Sequence, residues 1–333
     1  MSSSNSRNLI ITSIESLTGS QIAKTILASR SFSKTINQIT GLTLTPDADT
    51  VNELVNEHGV NIIEHKPGDL ETMVNTLTET GADTICLLPP NHKDAFDITT
   101  ELIEATKKAN IPNVCFISSA GCDLAERDSQ PLLRSVIDLE TTVMQTKGDA
   151  STETGHSPVI IRRGFYAEHL LSYSKQAQEA GKLPLPIGTS HKFAPMALSD
   201  AVEVIAHVLT GTGKHGFSDK HRGQLMVLTG PQLTAGSELA SAASQALGEE
   251  LEFEDISPDE AKNVLKDDAG SSDGEIAYLL EYFSLVREGK TNYISTTAFH
   301  DVTGKHPVEP TGFFKNYAEE MRPEKANKKR KTQ

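Results

Sequence analysis

Apolar positions in the first half of the chain follow two alternating rhythms. Short unbroken runs, such as Leu9-Ile-Ile-Thr12 and Asp83-Thr-Ile-Cys-Leu-Leu88, read as strands buried on both faces of a parallel sheet. Between the runs, apolar residues recur at helical spacing: Ile22, Ile26 and Leu27; Val51, Leu54 and Val55; Met73, Val74 and Leu77; Phe96, Ile98, Leu102 and Ile103. The pattern predicts strands at 9–12, 35–44, 59–63, 83–88, 113–117 and 158–161. It predicts helices at 47–57, 70–77, 94–109 and 132–144. Strand-helix alternation with short connections implies an α/β fold, a doubly wound parallel Rossmann-type sheet with right-handed crossovers.

Beyond 161 the alternation lapses. Helices are expected at 167–180, 201–209, 237–247, 258–266, 275–286 and 312–321, strands at 225–228 and 251–256, and an irregular stretch at 182–186. This half reads as a smaller, mainly helical C-terminal substrate lobe. The expected domains are 1–165, a Rossmann-type unit, and 166–322, a lobe partly interleaved with the sheet, followed by a basic tail at 323–333. Residues 148–157 are rich in Ser, Thr, Gly and Asp and read as a surface loop.

A formal net charge of −14 argues against nucleic-acid binding, which needs a basic face. No apolar run approaches a membrane span, and the serine-rich start has no apolar signal core. Three cysteines, Cys86, Cys115 and Cys122, form no metal-spaced cluster. Together these features read as a cytoplasmic chain with reduced thiols. The basic run 325–333 is either a solvated tail or a nuclear-localisation patch.

Asn8 to Leu27 reads as strand, tight turn and helix, the opening of a dinucleotide-binding unit. Where G-x-x-G-x-x-G is expected, the chain has Ser13, Ser16 and Gly19. The first glycine of such a turn permits the bend, the second admits the pyrophosphate, and the third lets helix and strand pack closely. Only the third is kept. Glu15 adds a carboxylate to the turn, costing a bound pyrophosphate roughly 1 kcal/mol or more. An NAD site expects an acid near the end of the second strand and an NADP site an arginine; Gly41-Leu-Thr-Leu-Thr45 supplies neither. The site reads either as a weakened dinucleotide site or as scaffold whose cofactor is lost.

With these elements placed, five stretches stand out in order: the first strand leading to Gly19, Gly81-Ala-Asp-Thr-Ile-Cys-Leu-Leu-Pro-Pro90, Ile117-Ser-Ser-Ala-Gly121, Ile160-Ile-Arg-Arg-Gly-Phe-Tyr166 and Ser199-Asp200-Ala201. On these stretches the chain resembles the NmrA-like family of atypical short-chain dehydrogenases/reductases over residues 8 to 322. Val302-Thr-Gly-Lys-His-Pro307 with Phe313-Phe314 is similar to an element of fungal secondary-metabolism members. The resemblance implies NADP(H) or NAD(H) as cofactor, with a basic residue around Thr40 or Leu44 in members that use NADP. Family members include reductases, redox sensors without turnover, and biosynthetic enzymes of unusual chemistry.

Ligands of open α/β sheets lie beyond the carboxyl ends of the strands. The expected cofactor contacts are therefore Ser13, Ser16, Leu17, Thr18, Leu42, Leu88, Pro89, Pro90, Ser118, Ser119 and Phe165. No Tyr-x-x-x-Lys lies between Ser118 and Val159. Tyr166 and His169 are the catalytic candidates, Tyr166 as proton donor or packing aromatic and His169 as acid/base or polar pocket wall. His169 stands where the family often has Asn. Glu140 matches the family's helix acid, or is simply a solvated one. Cys86 and Cys115 read as core residues, and Cys122 as structural. The eleven histidines show no metal spacing, including the pairs His215/His221 and His300/His306, so no metal is expected.

Three functions stay open. The first is NAD(P)H-dependent reduction of a C=O, C=C or C=N bond in a small molecule. The second is a redox-neutral cyclisation, isomerisation or dehydration on a degenerate Rossmann scaffold. The third is a non-catalytic NAD(P)-sensing regulator. The expected partner is a small-molecule substrate, with a homodimer compatible.

Overall fold

A computed structural model of the chain describes residues 6–145, 157–213, 216–268 and 271–323. The first serines, nearly all of the polar loop 148–157, His215 and the basic run 325–333 lie outside them.

The chain runs through β1 (Arg7–Ile11), α1 (Leu17–Ala28), α2 (Arg30–Ser33), β2 (Ile36–Thr43), α3 (Asp49–His58), β3 (Asn61–Glu64) and α4 (Leu70–Glu79). Next come β4 (Thr84–Leu87), α5 (Ala95–Lys108), β5 (Asn113–Ser119), α6 (Pro131–Met144) and β6 (Val159–Arg163). It continues through α7 (Ser174–Ala180), β7 (Lys182–Leu185), α8 (Leu198–Thr210), β8 (Leu225–Leu228), α9 (Gly236–Leu247) and β9 (Glu252–Asp255). The remaining helices are α10 (Pro258–Asn263), α11 (Asp273–Arg287), α12 (Ala298–Thr303), α13 (Pro310–Asn316) and α14 (Ala318–Met321).

The described residues form two compact units. The first comprises Met1–Gly164, Leu198–Thr229 and Thr296–Pro307. Its seven strands lie in the order β3-β2-β1-β4-β5-β6-β8, and every neighbouring pair is parallel. This is the doubly wound Rossmann-type architecture. Ile10, Leu42, Ile85, Leu87, Phe116 and Ile160 from the strands pack with Met73, Leu77, Leu102, Ile103, Leu139 and Val143 from α4, α5 and α6. Burial of a Leu or Ile side chain stabilises by roughly 1.5–3 kcal/mol, so the continuous apolar runs secure the sheet. Strand order reverses at β1 and β4, which makes their carboxyl ends the switch point where open sheets bind ligands.

The second unit comprises Phe165–Ala197, Gly230–Ser295 and Val308–Gln333. It contains a parallel pair, β7 with β9, and helices including α9, α11 and α13. Residues 182–186, expected to be irregular, contain β7. Leu183 and Leu185 alternate into the core, both 0% exposed. Pro184 is tolerated because a two-stranded ribbon leaves one edge unpaired; it pairs in register with Glu254. The strand expected at 225–228 joins the large sheet as β8, beside β6.

The expected helix 167–180 begins as a tight turn, Ala167–Tyr173, before α7. The expected helix 312–321 breaks at Tyr317 (φ −109°, ψ 34°) into α13 and α14. Among the described residues, no helix is long and apolar enough to cross a membrane.

Candidate functional site

At the switch point, Thr12 ties β1 to the end of β4. Its Oγ1 donates to the Leu88 carbonyl at 2.9 Å and accepts from the Leu88 amide at 2.8 Å. Ser13 follows in a left-handed conformation, φ 48°, the backbone that a glycine adopts without strain. Its hydroxyl donates to the same Leu88 carbonyl at 3.0 Å. Ser16 is the N-cap of α1: its Oγ accepts from the Gly19 amide at 3.0 Å and donates to the Ser13 carbonyl at 2.7 Å. A side chain on Gly19 would run into the Ser13 carbonyl, and its Cβ would stand 2.9 Å from Ile14 Cα. The turn thus has the shape of a dinucleotide turn. Both serine hydroxyls, however, are engaged within the turn or on Leu88.

The adenosine end of such a site falls between the turn and the ends of β2 and β3. There the chain leaves a small recess, partly open to solvent and lined by Thr12, Ser13, Leu42, Thr43, Leu44, His65, Pro90, Ile98 and Leu102. Its walls are apolar apart from the hydroxyls and one imidazole. His65 is 4% exposed, and its Nε2 lies 3.2 Å from Glu101 Oε1. The other Glu101 oxygen accepts from the Gly68 amide at 2.6 Å. Ile14 lies against Gly41 in β2, where an added Cβ would stand 2.7 Å from Ile14 Cγ2. The Glu15 carbonyl accepts from Thr50 Oγ1 in α3 at 3.1 Å, while its carboxylate Oε2 is shielded from solvent without a hydrogen-bond partner. The backbone keeps the bend and the close helix approach of a dinucleotide turn, and the recess beside it has no Asp, Glu, Lys or Arg among its described lining residues.

Of the expected contacts, Ser13, Leu42 and Pro90 share this recess, and Leu88 supplies the carbonyl that Thr12 and Ser13 hold. Leu17 opens α1 and is 53% exposed, followed by Thr18 in its first turn. Pro89 lies between Leu88 and Pro90 and is half-buried. Sequence reasoning missed His65. Its signal was position, directly after a short strand of a parallel sheet.

Ser118 and Ser119 lie on β5 itself, because the strand runs two residues longer than expected. Ser118 Oγ donates to Glu140 Oε1 at 2.5 Å. Arg162 grips both oxygens of Glu140, through Nε and Nη2 at 2.8 Å each, and also reaches Asp123 at 2.9 Å. The hydrogen bond to Glu140 raises the Arg162 pKa. Cys122 Sγ lies 3.6 Å from the same Glu140 oxygen. Burial first, and the Glu140 charge second, push its thiol up to about 12. Glu140 is therefore a buried, paired acid rather than a solvated one, 6% exposed. Its carboxylate is held by Arg162 and the Ser118 hydroxyl together.

In the second unit, Phe165 is fully buried against Phe193, Tyr282 and Phe283, with ring centroids 5.3–5.4 Å apart. Tyr166 is 2% exposed and stacks on His169 at 6.0 Å. His169 Nδ1 lies 3.5 Å from Glu275 Oε1. These side chains form one aromatic and acid/base cluster.

Three potential metal ligands, Glu53, Glu57 and His58, converge within 4.8 Å on α3. Glu53 is held there by Lys24 at 2.6 Å.

No family model matches the chain. It is 27% identical over 185 residues, 56% of its length, to an NAD(P)H azoreductase of Xenophilus azovorans. The chain spans little more than half the length of the curated relatives it matches, 58% and 54%. Among solved structures, an NADPH-dependent quinone oxidoreductase from Escherichia coli in complex with NADPH superposes with a TM-score of 0.73 at 17% identity, covering 93% of this chain and 99% of that one. NmrA, a negative transcriptional regulator in complex with NADP, superposes at 0.70 and 13% identity, covering 93% and 95%. The chain has the fold of the NmrA-like atypical short-chain dehydrogenases/reductases.

Proposed function

We propose that this chain is a nicotinamide-dinucleotide-dependent reductase of a small, electron-poor unsaturated molecule, acting on a C=O, C=C or C=N bond. The observation that carries the reading is the turn after β1. Ser13 keeps a glycine's backbone at φ 48°, and Gly19 keeps the close approach of helix to turn. Relatives named for reducing azo compounds and quinones support the reaction class. The Val302 to Pro307 element supports a place in secondary metabolism.

The N-terminus of α1 offers backbone amides to a pyrophosphate, with Ser16 Oγ as competitor for the Gly19 amide. A reduced nicotinamide supplies hydride when bound. The proton must come from elsewhere than Glu140 or Cys122, since one is a carboxylate paired with Arg162 and the other a buried thiol raised so far that it is too weak an acid to release its proton near neutral pH. Tyr166, or His169 with Glu275 beside it, or water, supplies it.

The test is to mix the purified chain with NADH or NADPH and a panel of quinones, azo dyes and enones. Nicotinamide absorbance and the acceptor are followed together. Acceptor-dependent oxidation of either nucleotide is the expected result. Nucleotide-independent conversion of a substrate would favour redox-neutral chemistry instead. A second reading, a dinucleotide-responsive regulator without turnover, is favoured by the locked Ser118–Glu140–Arg162 set in a fold shared with NmrA. Tight nucleotide binding with no acceptor turned over would support it.

A further inference from the structure

Glu15 carries a carboxylate oxygen that is shielded from water and has no hydrogen-bond partner. A buried unsatisfied acceptor is unusual and calls for an explanation. Glu15 stands two residues after Ser13, a wall of the recess, and its carbonyl is bonded to Thr50 at the start of α3. It therefore flanks the β2–α3 connection. In dinucleotide folds this is where an acidic residue receives the ribose hydroxyls, or an arginine receives a 2′-phosphate.

The end of β2 offers neither group, as Leu42, Thr43 and Leu44 are uncharged. No Lys or Arg is among the described residues that line the recess. His65 faces Glu101, Lys24 is paired with Glu53 at 2.6 Å, and Lys66 with Glu64 at 3.1 Å.

We propose that this site selects NAD(H) over NADP(H), with Glu15 as the residue that discriminates. The acid that other NAD sites take from the end of the second strand comes here from the turn itself. Its unpartnered oxygen accepts a ribose hydroxyl and repels a phosphate in the same place. The proposal rests on the dinucleotide-dependent reading above.

Calorimetric titration of the full chain with NADH and with NADPH tests it without any acceptor. NADH is expected to bind roughly tenfold tighter or more. Glu15→Gln, checked for an unchanged melting profile, should lose most of that ratio by strengthening NADPH. Leu44→Arg, which supplies the missing cation, should move the ratio in the same direction. Equal or tighter binding of NADPH by the natural chain overturns the selectivity while leaving dinucleotide dependence standing. So does a ratio that Glu15→Gln leaves unmoved. Failure of both nucleotides to bind overturns the two readings together.

Discussion

Ser13 holds a backbone that costs a non-glycine residue on the order of 1–2 kcal/mol. Its hydroxyl recovers about 1 kcal/mol through the buried bond to the Leu88 carbonyl. The two effects nearly offset, so Ser13→Gly is expected to change stability by less than about 1 kcal/mol. Gly19 has no such latitude. Any side chain there meets the backbone of Ser13 and Ile14, which cannot move without opening the turn. Gly19→Ala is expected to destabilise by about 2–3 kcal/mol. Urea unfolding of the two variants beside the natural chain checks the contrast. Equal effects would mean that the close approach at Gly19 is not what shapes the turn. The same pair explains why the sequence looked damaged: a serine can occupy a glycine's backbone conformation, and spelling does not reveal it.

At the scale of elements, β5, α6 and β6 are joined by Ser118, Glu140 and Arg162. Glu140→Ala leaves the Arg162 guanidinium, whose side chain is 11% exposed, with only the half-exposed Asp123 as partner. Losing one member of a buried pair is expected to cost about 3–5 kcal/mol, placed here near the lower figure because Asp123 remains. The urea midpoint measures it, and a loss below about 1 kcal/mol would mark the pair as an ordinary surface bridge. This lock was hidden in the sequence. The helical spacing around Glu140 showed an acid on a helix, but nothing local tells that an arginine on the next strand meets it. The strands and long helices of the first half were legible because their apolar runs are buried on both faces. α2 and α12, four and six residues long, have too few turns to show a period. β7 was hidden by Pro184, which breaks strand propensity without breaking the pairing. In the site, Ser13, Leu42 and Pro90 were readable from strand ends, whereas His65 and the orphan oxygen of Glu15 emerge only from tertiary packing.

At the scale of the folded unit, all three thiols are fully buried and unpaired. Burial, then the neighbouring Cys115, raises the Cys86 pKa, and burial with Glu140 pushes the Cys122 thiol up to about 12. In the unfolded chain a thiol ionises near about 8.5. Between that value and about 12 the unfolded state sheds a proton that the native Cys122 keeps. The unfolded state then binds fewer protons, so stability falls as pH rises through this window and is fully present below it. Tyr173, whose phenol is raised by burial, pulls in the same direction, so the decline has more than one source. Urea midpoints measured from pH 8 to 11 are therefore expected to decrease, and Cys122→Ala to make the decrease shallower without abolishing it. Ellman's reagent gives a second readout: little reaction with the native chain near neutral pH, and three thiols once urea unfolds it. A native chain that reacts at once with one equivalent would place an open thiolate where burial and the Glu140 charge should forbid it.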